Sequence, residues 1–135
     1  MTTHAAQVSW TGGKDDLRSH TVRAGGQTIG GSCSPEWGGD DSKADPEALF
    51  VGSLSACHML WFVDLARRER LRVTSYEDRA EGDMDGTRFT HVALRPRVEF
   101  ESDVDEPTIT RLHHEAHERC FIANSVSCPV EVEAA

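Results

Sequence analysis

Two cysteines stand where they could do redox chemistry. Cys57 lies inside the most apolar stretch of the chain, residues 49–63, and Cys120 closes a polar, histidine-rich segment further on. A thiolate is the form of cysteine that attacks peroxides and disulfides. Free cysteine also packs as a small hydrophobe, and the apolar neighbours of Cys57 admit that role as readily. A thiolate at Cys57 needs a cation from elsewhere in the fold. The residue is three turns into its helix, and the dipole acts only within the first turn. His58 does not serve, because adjacent helical residues diverge by about 100°. Cys120, at a helix C-terminus, is a weak attacker but could resolve a sulfenic acid formed on Cys57.

The histidines offer a rival chemistry. His113, His117 and Cys120 share an i, i+4, i+7 spacing and lie along one helix face, as metal ligands could. His114-Glu-Ala-His117 is one residue short of a metalloprotease HExxH, so its two histidines are out of phase. A solvated polar face is the plainer account of this helix. Cys33 lies in a Gly/Ser loop as an incidental thiol. Cys128, before Pro129 in an expected last strand, suits packing; either remains an alternative resolving partner.

The elements that must position these groups are legible in outline. Asp45 caps a central helix, Pro46 takes its first position, and Glu47 favours the positive end of the dipole. Arg67, Arg68 and Arg70 suit its C-terminus. Between them apolar residues cover all faces, so this helix must be buried on most sides, by sheet and by another subunit. A second helix is expected from about Pro107 to about Cys120, with Asp105 or Glu106 at its cap. Strands are expected at Ala6–Trp10, at 17–23 with a Gly25-Gly26 turn, and at 126–132. Residues 71–80 and 88–101 are expected to pair, with Asp85-Gly86 in the turn and Pro96 marking an edge or bulge. Residues 30–43 read as a loop. The order β-β-α-β-β-α-β predicts one α+β domain over residues 1–135, with a mainly antiparallel sheet and two long helices.

Composition narrows the partners. The 135 residues carry 14 Lys+Arg against 23 Asp+Glu, a formal charge of −9, which disfavours nucleic acid. No basic, apolar leader opens the chain. The apolar run is shorter than the roughly 20 residues that span a bilayer and contains His58 and Asp64. A cytoplasmic protein without a membrane partner is expected. Its four cysteines are then free, catalytic or metal-bound; no CxxC pair exists.

Three segments carry a family resemblance. Asp45-Pro-Glu-Ala-Leu49, Ser53-Leu-Ser-Ala-Cys-His-Met-Leu-Trp61 and Ala116-His-Glu-Arg-Cys-Phe-Ile-Ala-Asn-Ser125 closely resemble the OsmC/Ohr family. Its members are thiol peroxidases related to osmotically induced protein C and the organic hydroperoxide resistance protein. The resemblance spans Trp10 through Val130. It implies an intertwined homodimer with buried central helices, a peroxidatic Cys57, a resolving Cys120 and Glu47 orienting an arginine. It also implies oxidative-stress defence with no bound cofactor, the thiols being regenerated by an external reductant of lipoyl-dithiol or small-thiol type. Glu47 and Cys57 are ten residues apart on one helix, roughly 15 Å at 1.5 Å per residue. If both serve one site, Glu47 must come from the partner chain.

The sequence departs from the family at the arginine. The slot shortly before the Pro-Glu start holds Gly38-Gly39, and the early Gly-Gly-Arg turn is Gly12-Gly13-Lys14. Arg18 is the best substitute, Arg23 the second and Lys14 the third, since lysine lacks arginine's planar fork. The expected activity is reduction of organic hydroperoxides, or hydrogen peroxide, through a Cys57 sulfenate and a Cys57–Cys120 disulfide. The alternatives are a non-catalytic redox protein and a metal-binding protein on the same fold.

Overall fold

The computed structural model describes residues 1–134, which group into two compact units, residues 1–49 and the chain from Phe50 onward. In the first unit, β1 (Gln7–Ser9), β2 (His20–Ala24) and β3 (Gln27–Gly31) form an antiparallel sheet in that order. The β2–β3 hairpin turns at Gly25-Gly26, and Val22 faces Ile29 across it. β3 falls partly in the expected loop. Its Gly30 and Gly31 contribute little strand propensity, and pairing with β2 holds them extended. The loop continues through a short 3-10 turn, Pro35–Trp37, and is tied back where Ser32 N donates to the Ala44 carbonyl at 2.9 Å.

Helix α1 (Pro46–Arg68) starts as its cap predicts: Ala48 N donates to Asp45 Oδ1 at 2.6 Å. Its first turn belongs to the first unit and the remainder to the second. At 23 residues it is longer than its apolar run, and by length and composition alone it could cross a membrane. Instead it supplies the core of the second unit. Leu54, His58, Phe62, Leu65 and Ala66 form its buried stripe. The expectation of burial on most sides holds for that face only, because Gly52, Ser53, Ala56 and Leu60 stay exposed in this chain.

Around α1 stand β4 (Val73–Asp78), β5 (Glu81–Asp85), β6 (Arg88–Leu94), β7 (Pro96–Phe100), α2 (Glu106–Arg119) and β8 (Val130–Val132). β4 pairs antiparallel with β7, β5 antiparallel with β6, and β6 parallel with β8. The fold is α+β, as expected, with its strands in three short sheets and one parallel pair. Of the pairing expected between 71–80 and 88–101, only the second half forms, as β4 with β7; the first half of 88–101 is a separate strand, β6, which pairs with β5. The tight turn lies one residue later than expected, at Gly86-Thr87, since Asp85 and Arg88 are the last pair and Gly86 takes φ 63°. Pro96 opens β7, and the break before it is closed by Asp78, whose carboxylate accepts from Arg95 N at 2.6 Å. The last strand shrinks to Val130–Val132, so Cys128 lies just ahead of it.

Two apolar clusters hold α1. Phe62, Leu65 and Ala66 pack on Leu112 and Ala116 of α2, with Tyr76, Val98 and Phe100 alongside. Leu54 packs on Val92 and Leu94, with Phe50, Val51, Phe89 and Ile122 around them. Burial of each large apolar side chain contributes about 1.5–3 kcal/mol.

Candidate functional site

The fold brings Cys57 and Cys120 together. Cys57 is partly buried at the middle of α1, and Cys120 is the C-cap of α2, 1% exposed. All four cysteines are free thiols. Burial pushes the Cys120 thiol pKa up, and the adjacent Cys57 thiol pushes it further. The Ala123 backbone N–H, donating to Cys120 Sγ at 3.4 Å, pulls the other way. Cys120 is thus held in its neutral thiol form.

The tight chain path past Cys120 is set by the end of α2. Asp105 caps the helix start, accepting from Thr108 N at 3.2 Å. Past its end the chain turns through a 3-10 segment, Ala123–Ser125, where Asn124 N donates to the Cys120 carbonyl at 3.0 Å. Trp61, one turn beyond Cys57 on α1, meets Phe121 edge-on at 5.5 Å between centroids. The Arg119 guanidinium lies over Trp61 at 5.6 Å, a cation–π contact. Phe121 and Leu60 stay exposed. The region around the thiols is therefore lined with aromatic and aliphatic surface.

Arg18 belongs to the first unit. Its Nε donates to the Trp37 carbonyl at 3.2 Å, and its backbone N–H donates to Asp16 Oδ1 at 3.0 Å. It lines a surface depression with Lys14, Gly38, Gly39 and Asp40. This explains the missing arginine at 38–39: a Cβ on Gly39 would fall 1.6 Å from the Cys33 carbonyl oxygen, so no side chain fits. Gly38, at φ 86°, lies beside the Arg18 guanidinium. Arg23 is exposed on β2, and Lys14 is exposed in the preceding loop. Glu47 is exposed in the first turn of α1.

The metal constellation does not assemble. His113 turns into the core, where its Nδ1 lies 2.9 Å from His58 Nε2, and Cys120 faces Cys57. Among the described residues, the group with ligand atoms near enough for one ion is His91, Glu131 and Glu133, away from the thiols in sequence. Glu133 in that group is already paired to Arg95 at 3.0 Å. The sequence did not reveal the His58–His113 pair, because nothing in it aligns residues 55 positions apart. Burial pushes both imidazoles down to about 4; charge on His113 and His117 adds to this for His58, while Asp78 opposes it for His113. Cys128 packs on the Leu54 cluster, and Cys33 Sγ donates to the Trp37 carbonyl at 3.6 Å.

An α+β fold with a thiol on a central helix and a second thiol at the end of the other helix defines a dithiol protein class. The OsmC-like protein family model matches residues 39–135, and the chain belongs to that family. An OsmC-like protein of unknown function from Vibrio cholerae is 37% identical over the whole of both chains, with a TM-score of 0.90. An organic hydroperoxide resistance protein from Legionella pneumophila is 20% identical, with 99% of this chain and 96% of that one covered and a TM-score of 0.73. The organic hydroperoxide resistance protein of Bacillus subtilis is 21% identical, with 97% and 98% covered and a TM-score of 0.68. Among curated proteins no sequence match is found.

Proposed function

We propose that the protein is a thiol-dependent peroxidase that reduces organic hydroperoxides in oxidative-stress defence. The single observation that carries this reading is the apposition of the Cys57 and Cys120 thiols, free in a shared apolar setting. The Cys57 thiolate attacks the distal peroxide oxygen. An S–O bond forms, the O–O bond breaks, and the alkoxide leaves as the alcohol after taking a proton. Cys120 then attacks the sulfenic sulfur, forming the disulfide and releasing water. A dithiol reductant of lipoyl type returns both thiols and is itself oxidised to a disulfide. The raised Cys120 pKa supports this order of events, since Cys120 rests as a thiol. The apolar surface of Leu60, Trp61 and Phe121 favours an alkyl or aryl hydroperoxide over hydrogen peroxide.

Arg18 is the proposed cation that stabilises the thiolate and the departing alkoxide, with Glu47 orienting it. The pair is supplied across a homodimer in which α1 packs on its symmetry mate. The exposed stripe of Gly52, Ser53 and Ala56, small residues that let helices approach closely, with the apolar Leu60 at its end, supports that packing. Stopped-flow mixing of reduced protein with cumene hydroperoxide, followed by non-reducing peptide mapping, tests the activity. A peroxide-dependent Cys57–Cys120 disulfide is expected; its absence removes the peroxidase reading.

A further inference from the structure

α1 and α2 meet through a pair of buried imidazoles. His58 Nε2 and His113 Nδ1 are 2.9 Å apart, and the ring planes lie 7° from parallel. Phe62 stacks on His113 at 4.2 Å between centroids. His58 is 1% exposed and His113 5%, beside a core of Phe62, Leu65, Ala66, Leu112 and Ala116. The single bond uses one nitrogen of each ring, and His58 Nδ1 and His113 Nε2 have no partner among the described residues. With both rings neutral, one of those two atoms is a bare acceptor and the other an N–H, whichever tautomers form.

As a source of stability the pair is poor. An unpartnered buried polar group costs about 1–3 kcal/mol, and well-packed apolar side chains in place of a buried polar pair are often neutral or stabilising. What a hydrogen bond adds is direction. It weakens steeply with misalignment, whereas apolar contacts tolerate sliding. The location gives that direction a use: His58 directly follows Cys57, and His113 stands two turns before Cys120 on α2. A slip of α2 by one residue would carry Cys120 by roughly 1.5 Å along the axis, enough to spoil the narrow geometry of a disulfide.

We propose that the His58–His113 hydrogen bond is a register pin between α1 and α2 that holds Cys120 within bonding range of Cys57. Both histidines are positioning residues. This role rests on Cys57 and Cys120 being the redox pair proposed above, and it is measurable without peroxide. In glutathione redox buffers the two protein thiols give two electrons and two protons to glutathione disulfide, which leaves as two glutathiones. The equilibrium yields the effective molarity of the thiol pair.

The test compares wild-type chain with His58→Leu/His113→Leu and with His58→Gln/His113→Asn, whose amides place a polar atom where each bonded ring nitrogen stood. The leucine variant is expected to melt at or above the wild-type temperature, while its effective molarity falls at least about tenfold. The amide variant is expected to recover it to within about twofold. A leucine variant that keeps the wild-type effective molarity overturns the proposal. So does an amide variant that loses as much as the leucine one. If the leucine pair fails to fold, His113→Phe is read by the same two criteria. A wild-type chain that forms no Cys57–Cys120 disulfide in these buffers overturns the pin and the redox pair together. A chain that forms it readily but ignores peroxide removes only the peroxidase reading.

Discussion

In the proposed cycle Cys120 acts second. Burial and the neighbouring Cys57 thiol keep it protonated, opposed by the backbone N–H groups of Ala123 and Ile122. Cys120→Ser should therefore leave the first step intact and block the next. One equivalent of cumene hydroperoxide would be consumed, and dimedone would trap the Cys57 sulfenate by mass. Steady-state turnover with a dithiol would fall at least about tenfold. Full turnover in this variant would mean that Cys128 or the reductant resolves the sulfenate directly. The cation is argued at the same scale. Arg18→Ala should slow Cys57 oxidation by about 2–4 kcal/mol of barrier, as loss of a charge-stabilising donor does elsewhere. Arg18→Lys should recover part of the rate, having charge without the fork. Arg23→Ala and Lys14→Ala should stay near wild type in stopped-flow traces; a deep loss in either would move the assignment to that residue.

The two long helices form an acid-sensitive joint. Each imidazole of the His58–His113 pair titrates near 4 in the folded chain, against 6.5 for an unperturbed histidine. Between those values the unfolded chain binds more protons than the folded one, so stability rises with pH across the window. It is fully present above about 6.5 and lost as pH falls toward 4. At ~1.4 kcal/mol per pKa unit, the loss should be on the order of 3 kcal/mol for each imidazole that takes up its proton. Urea melts between pH 7 and pH 4.5 check this, and His58→Leu/His113→Leu should flatten the slope. An equal slope in both would place the acid sensitivity elsewhere. The helices themselves were legible, because Asp45, Pro46 and Asp105 are local end signals and the structure uses all three. β3 and β5 were not. Gln27–Gly31 is glycine-rich and Glu81–Asp85 is acidic, so each is a strand only because its hairpin partner pairs with it. The thiol pair was legible through the family blocks, while the imidazole pair depends on a helix crossing that no local pattern encodes.

At the scale of the whole molecule, α1 poses the remaining question. One stripe of it is buried in its own chain, and the opposite stripe of Gly52, Ser53, Ala56 and Leu60 is left open, with Leu60 64% exposed. Glu47 is ten helical residues from Cys57, roughly 15 Å along the axis, too far for both to touch one peroxide in one chain. If two α1 helices cross about a twofold axis, each Glu47 serves the other chain's Cys57. Mixed dimers decide the matter. Cys57→Ser and Glu47→Ala homodimers should each be nearly inactive. Unfolding and refolding them together should restore activity, because each heterodimer then has one site with an intact Cys57 and a Glu47 supplied by the other chain. Random pairing makes half the dimers mixed, so recovery should reach about a quarter of wild-type sites. Sedimentation of wild type should give a dimer at micromolar concentration, and Ala56→Arg should shift it toward the 14.9 kDa monomer with loss of peroxide turnover. If mixing restores nothing while the refolded chains sediment as dimers, Glu47 acts within its own chain or not at all. A wild-type chain that sediments as a monomer and still turns over peroxide would mean that the site is complete in one subunit and that the open face of α1 has another use.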